Sequence, residues 1–312
     1  MRKILGVAAA VLTAAAIAGC GKGSTTTATE AVSETKLETT VAAETAADGT
    51  EAEKTAETEK EELNFESFVA IDNDECRVTI KDIAPDKKWG YAVNVELENK
   101  SADKTYNFSV TDAAVDGLMC SPLFSKEVTA GKKANGSIDL AIDSLQEYGL
   151  QDETDLELFF RISDADDWSA DPVAETSVHV YPYGEEQATT FVRQAKATDQ
   201  VLLDNEYLSV TLTEIYHDSI WGYSLGLYVV NKSDSNIMVS VDDASVNGYM
   251  LDPFFANEIL AGKTGFTSVS WSDSSFEENG IETVENIEFT LKAYDYDSWS
   301  TRFAEEPVVI TP

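Results

Sequence analysis

Asp112–Phe124 reads DAAVDGLMCSPLF, and Asp243–Phe255 reads DASVNGYMLDPFF. Each stretch runs through small and β-branched residues into Asp116-Gly117 or Asn247-Gly248, then out into a second apolar run. An Asp-Gly or Asn-Gly pair flanked by apolar runs marks a β-hairpin, because such a turn needs positive φ at its central residues. At this level the pair reads as a turn and nothing more. That the same pattern occurs twice decides more, since an internal duplication fixes architecture before any single element does.

Outward from these hairpins the two copies stay in register at a spacing of 130–132 residues. Val69, Ile71, Asp72 and Asn73 match Val201, Leu203, Asp204 and Asn205. Trp89-Gly90-Tyr91 matches Trp221-Gly222-Tyr223, and Asn99-Lys100-Ser101 matches Asn231-Lys232-Ser233. Ala130-Gly131-Lys132 returns as Ala261-Gly262-Lys263. Asp164, Asp166 and Trp168-Ser169 return as Asp295, Asp297 and Trp299-Ser300. Between these landmarks apolar residues alternate with polar ones, as in Leu208, Val210, Leu212 and in Leu225, Leu227, Val229. Ile287, Phe289, Leu291 and Ala293 mirror Leu156, Leu158, Phe160 and Ile162. Period two predicts half-buried strands of antiparallel sheets. Seven or eight such strands in about 115 residues suit a two-sheet sandwich. Helix is expected only as single turns near Ser144–Tyr148 and Ser275–Glu278, each followed by a capping glycine, Gly149 or Gly280.

The chain has 312 residues, 57 acidic against 22 basic, with two His and three Cys and a formal charge of −35. Hydrophobic residues make up 43% of it, enough for packed cores. The acidity argues against a nucleic-acid partner, because phosphate binding needs clustered Lys and Arg. Two His and three Cys leave little for a zinc centre or a His-dependent active site.

The first twenty residues, MRKILGVAAAVLTAAAIAGC, read as an export signal. Arg2 and Lys3 form a positive start, Ile4–Ile17 an apolar segment too short for a stable membrane span. Ile17-Ala18-Gly19-Cys20 resembles the lipobox of bacterial lipoproteins. That resemblance implies cleavage before Cys20, diacylation of its thiol, and stable attachment to the extracytoplasmic face of the membrane. An ordinary secretory peptide cleaved nearby is the plainer alternative. From Gly21 to Leu63 follow 11 acidic residues and four Lys with almost no large apolar side chain. Such a segment cannot offset its ordering entropy and is expected to be a disordered acidic tether, spanning roughly 40 Å as a random coil. After Leu63 stand 46 acidic and 16 basic residues, so the acidity belongs mainly to the duplicated part.

The N-K-S turn, the D/N-G turn, the A-G-K turn and the closing D-x-D-x-W-S segment together resemble the immunoglobulin-like, telokin-like domains of Gram-positive surface lipoproteins. The resemblance covers residues 66–312 and implies fold and location more than an activity. The expected organisation is a signal peptide (1–20), a disordered acidic tether (21–64), a β-sandwich repeat (65–183), a linker (184–199) and a second repeat (200–312). The fold class is all-β: two tandem immunoglobulin-like antiparallel β-sandwiches.

Four constellations are candidates for chemistry. Cys76 and Cys120 have Leu208 and Leu251 as counterparts, so their positions want apolar side chains; a disulfide and buried free thiols both remain open. His179 and His217 occupy non-equivalent positions and read as plain surface or edge residues. Alternate carboxylates at Asp164, Asp166, Asp295 and Asp297 point to one face of a strand and are the candidate calcium ligands, with turn capping as the structural alternative. Trp89, Tyr91, Trp221 and Tyr223, joined by Trp168 and Trp299, form a candidate aromatic patch for a glycan or peptide, with sandwich-end packing as its alternative.

No residues suggest an enzyme, and no cofactor is called for beyond the calcium option. The expected function is that of a membrane-anchored, non-enzymatic binding or adhesion module, held by lipid on Cys20 and engaging an envelope or host protein or glycan. The alternative is a structural or accessory cell-envelope protein, calcium-stabilised through the Asp pairs, without a dedicated ligand.

Overall fold

The computed structural model describes residues 63–86, 90–151 and 153–312. The export signal with Cys20, the acidic stretch through residue 62, and Trp89 lie outside the described residues. The alternating segments are strands. The first copy contributes β1 (Phe68–Asp72), β2 (Cys76–Asp86), β3 (Gly90–Asn99), β4 (Tyr106–Val115), β5 (Leu118–Cys120), β6 (Pro122–Leu123), β7 (Ser125–Val128), β8 (Lys133–Ala141), α1 (Asp143–Glu147), β9 (Leu156–Asp164) and β10 (Ala174–Val180). The second contributes β11 (Gln200–Asp204), β12 (Leu208–Asp218), β13 (Gly222–Asn231), β14 (Ile237–Val246), β15 (Tyr249–Met250), β16 (Ala256–Ile259), β17 (Thr264–Trp271), α2 (Asp273–Glu278), β18 (Ile287–Asp295) and β19 (Arg302–Ile310).

Pairing follows the duplication. One sheet of the first copy runs β1-β2-β3-β8-β6, and the other runs β10-β9-β4, with β5 and β7 both on the far side of β4. The second copy repeats this as β11-β12-β13-β17 against β19-β18-β14, with β15 and β16 beside β14. In each copy the inward residues of both sheets meet in one apolar layer. Val78, Ile80, Val95, Leu97 and Ile138 face Phe108, Leu156, Leu158 and Phe160 in the first copy. Val210, Leu225, Leu227 and Val269 face Val239, Phe289 and Leu291 in the second. The all-β sandwich expectation holds, and among the described residues the two α-helices are the short turns foreseen for α1 and α2, with one further 3-10 turn at Glu185–Gln187.

The shared motifs are explained by the bonds they make. Asn99, the buried last residue of β3, donates from Nδ2 to the carbonyls of Lys104 (2.8 Å) and Val128 (2.7 Å) and accepts the Ser101 N–H (2.9 Å). Asn231 does the same in the second copy, donating to the Ser235, Ile259 and Leu260 carbonyls (2.8, 2.9 and 3.0 Å) and accepting the Ser233 N–H (2.9 Å). The next residue latches the preceding hairpin: Lys100 Nζ donates to the Asn73 carbonyl (2.5 Å) and pairs with Asp72, as Lys232 does with the Asn205 carbonyl (2.9 Å) and Asp204. Asn73 and Asn205 in turn accept two backbone N–H groups of their own turns. Gly222 of the W-G-Y motif has φ +78°, and a Cβ there would lie 2.3 Å from the Trp271 carbonyl oxygen, so no other residue fits.

The D/N-G turns do more than the sequence reading allowed. Asp116, at φ +51°, accepts bonds at Oδ1 from the Thr154 N–H (3.0 Å), the Thr154 hydroxyl (2.7 Å) and the Asp155 N–H (2.8 Å). Asn247, at φ +52°, accepts the Glu285 and Asn286 N–H groups. Each turn residue therefore anchors the loop that enters the strand beside it.

The two sandwiches pack head to tail. Leu118 of β5 pairs in parallel with Thr264 of β17, and the Thr264 N–H donates to the Gly117 carbonyl (3.0 Å), joining one sheet of each copy into a nine-stranded sheet. Met119 reaches into the core of the second copy, and Tyr148 stacks on Phe266 at 3.8 Å between ring centroids. Lys263 pairs with Glu157 across the same junction. The 184–199 stretch crosses it as a packed strap: Phe191 meets Phe266 and Tyr228 edge-on, and Arg193 lies 5.6 Å from the Tyr228 ring centre while forking onto Asp199 (2.6 and 2.7 Å).

Two predictions follow from these bonds. Asn231→Ala strands buried carbonyls and lowers the unfolding free energy by about 2–3 kcal/mol in urea titrations, whereas Lys232→Ala, at an exposed pair, changes it by less than about 1 kcal/mol. Asp199 is held at about 2, below its ordinary 3.8, chiefly by Arg193. A depressed carboxyl stabilises the fold above its unfolded value and loses that contribution as pH falls through the folded one. The stability gap between wild type and Asp199→Asn is therefore level above pH 3.8 and closes towards pH 2.

Candidate functional site

The D-x-D-x-W-S turn links β9 to β10 in the first copy and β18 to β19 in the second. Its carboxylates cap the turn. Asp164 accepts the Asp166 N–H at Oδ1 (3.0 Å) and pairs through Oδ2 with Lys104 (3.0 Å). Asp167 accepts the Ser169 N–H (3.0 Å) and hydroxyl (2.6 Å), and Asp295 accepts the Ser298 N–H (2.7 Å). Lys104 holds the Asp164 carboxyl below the usual range, the Ser169 hydroxyl does so for Asp167, and the Ser298 N–H for Asp295. Asp166 and Asp297 are exposed members of the same turns. Among the described residues no three His, Cys, Asp or Glu side chains are grouped as metal ligands.

The Trp of this turn is where the copies part. Trp168 is 85% exposed, an unusual state for an indole. It stands at the lip of a groove of about 440 Å³ on the outer face of the β7-β4-β9 sheet. Tyr106 and Phe108 turn into the core, so Asn107 between them faces outward, with Glu127 of β7 and Ser163 of β9 as its direct partners. Ser125 donates to Asn107 Oδ1 (2.9 Å), and Asp164 closes the end of the row.

In the second copy the same register brings Glu258, Met238 and Tyr294 together. There Tyr294 and Tyr296 replace Ser163 and Ala165, and their rings lie 5.1 and 6.3 Å from that of Trp299. Trp299 sits at φ +56°, a left-handed conformation uncommon for a bulky residue. Trp299 is 63% exposed, so the copies differ in what stands beside the indole: an open groove at Trp168 and two tyrosines at Trp299.

The other candidates separate. Trp221 is 53% exposed and meets Phe254 edge-on at 6.0 Å, while Tyr223 packs against Phe276 beside the core, so the two do not form one surface. Trp89 and the Tyr91 side chain lie outside the described residues. His179 bonds Asp155 through Nδ1 (2.7 Å) and faces Glu157, which carries the junction pair with Lys263. His217 bonds Asp273 at an exposed position (2.8 Å). The sequence reading joined Trp168 to the other aromatics but did not give it a groove of its own. The signal that could have found it was the mismatch between copies, Ser163 and Ala165 against Tyr294 and Tyr296 around a shared Trp.

No family model and no curated protein matches the chain. Among solved structures, the exo-chitosanase CsxA of Amycolatopsis orientalis is similar at 11% identity and a TM-score of 0.21, over 77% of this chain and 27% of that one. A second structure of that enzyme, in complex with PNP-beta-D-glucosamine, gives the same identity and TM-score over 70% and 25%. The chain spans about a quarter of the enzyme's length, and at this TM-score the likeness carries no argument about function.

The cysteines yield a test. Cys76 begins β2 beside Asn99, and Cys120 lies in β5 near Ala141, which pairs with Gly90. The ten residues of β3 separate the two ends by about 30 Å, so no bond joins them. Burial raises the Cys76 thiol and pushes that of Cys120 up to about 12. Without reductant, both thiols are expected to resist Ellman's reagent in the native protein at pH 8 and to react fully in guanidinium.

Proposed function

We propose that the chain is a lipid-anchored, extracytoplasmic binding module without catalytic activity, whose acidic tether presents two stacked sandwiches to the surroundings. The observation that carries this reading is the Trp168 groove. An exposed indole beside a row of hydroxyl, amide and carboxylate groups costs solvation without serving the core, a pattern that ligand sites share. The lipobox-like Ile17-Ala18-Gly19-Cys20 supports the anchor. An accessory envelope role without a dedicated ligand is the second reading, favoured by the packed head-to-tail junction, which suits a rigid spacer.

Two measurements test the proposal. In membrane fractionation, Cys20→Ala moves the protein from the membrane to the soluble fraction; retention would refute lipid attachment. In sedimentation with isolated cell walls, the full chain bearing Cys20→Ala co-sediments and the further change Trp168→Ala reduces the bound fraction; equal binding by both would remove the groove from the function.

A further inference from the structure

Resting on that reading, we propose that the Trp168 groove takes a pyranose ring of a neutral glycan, one whose hydroxyls are all equatorial. The floor of the groove is the outer face of the β7-β4-β9 sheet. β4 is flanked by β7 on one side and β9 on the other, and β9 has β10 on its far side. The backbone groups of β4 and β9 are used on both sides and only β7 keeps a free outer edge, so no peptide strand can be added within the floor itself. Recognition must come from side chains, and the row offers Glu127, Asn107 and Ser163, with Ser125 beside them. Carboxylate, amide and hydroxyl groups complement the alternating donors and acceptors of sugar hydroxyls.

Trp168 supplies the other half of the site. An all-equatorial pyranose keeps its hydroxyls at the ring edge and presents flat C–H faces, which match the face of an indole. Its edge hydroxyls would then reach the polar row while its face covers exposed aromatic surface. Charge selects against anionic sugars. The lining carries no net positive charge, since Lys126 offsets Glu127 and Lys104 is paired with Asp164, and the chain carries −35 overall.

The second copy acts as an internal control. Its tyrosines at 294 and 296 place aromatic rings against Trp299 in the space that Ser163 and Ala165 leave open beside Trp168. The proposal therefore assigns one site per chain, on the first copy only.

Titration calorimetry of the full chain with cellohexaose and xylohexaose tests this, with an oligogalacturonate as the charged comparison. Saturable binding of a neutral oligosaccharide at one site is expected, with none for the oligogalacturonate. Trp168→Ala weakens binding by about tenfold or more. The double change Ser163→Tyr with Ala165→Tyr abolishes binding at unchanged melting temperature, and Trp299→Ala leaves it intact. Absence of binding to both neutral probes, or binding that survives Trp168→Ala, overturns the assignment. If both probes fail while cell-wall sedimentation still depends on Trp168, the pyranose assignment falls and the binding-module reading stands. If sedimentation is also independent of Trp168, both fall.

Discussion

A sandwich must send its chain from one sheet to the other, and at each crossing backbone carbonyls leave the ladder and need new partners. In this protein one buried amide solves that problem twice. Asn99 closes β3 and binds both the Lys104 carbonyl, just before β4, and the Val128 carbonyl, at the end of β7. A single side chain thus ties the last residue of the first sheet to two strand ends of the second. Asn231 repeats the arrangement with the Ser235, Ile259 and Leu260 carbonyls. The lysine that follows fastens the β1–β2 or β11–β12 hairpin to the same corner. Every other element hangs from these corners, because they set how one sheet meets the other.

The duplication separates what folds the chain from what it does with the fold. Elements common to both copies have a bonding reason: the N-K-S corner, the D/N-G anchor, the glycine of W-G-Y and the carboxylate caps of the closing turn. Positions that differ fall into two groups. One group builds the junction, where Tyr148 and Phe266 are aromatic and stack while their counterparts in the other copy are Asn279 and Asn135; Met119 and Met250 are the same residue in different surroundings. Met250 shows the consequence, being exposed where Met119 is inserted into a neighbour. The other group surrounds the shared Trp, and there the first copy is polar and the second aromatic.

The strands were legible because period-two alternation is a direct image of a two-faced sheet, and the repeat was legible because identical corners demand identical residues. The capping role of Asp164 and Asp295 was legible as one of two readings, since a carboxylate two or three residues before an amide serves either a turn or a cation. What could not be read was whatever depends on residues distant in sequence. Asp116 looked like a turn residue because its second partner, Thr154, lies 38 positions away. Tyr223 looked like part of an exposed patch with Trp221 because its packing against Phe276 is set by α2, far along the chain. Exposure is the least local property of all, and Trp168 and Trp271 show it: alternation says nothing to distinguish an indole 85% exposed from one that is 1% exposed.

The head-to-tail contact accounts for the asymmetry of the two Trp turns. Glu258 of β16 lines the same groove as Asp112 of the first copy, and burial, then Asp112, then Asp297 raise its carboxyl. The row that is open in the first copy therefore runs into the junction in the second. A polar groove there would bring its own carboxylates against those of β4 in a partly desolvated space, an arrangement that like charges disfavour. Filling it with Tyr294 and Tyr296 removes that conflict, although Trp299 itself stays 63% exposed. Among the described residues no strand pairs with the outer edge of β7, so the same row can stay polar and open. Stacking the copies in this order thus leaves the Trp168 face as the one version of the turn whose geometry is free to be shaped by a ligand.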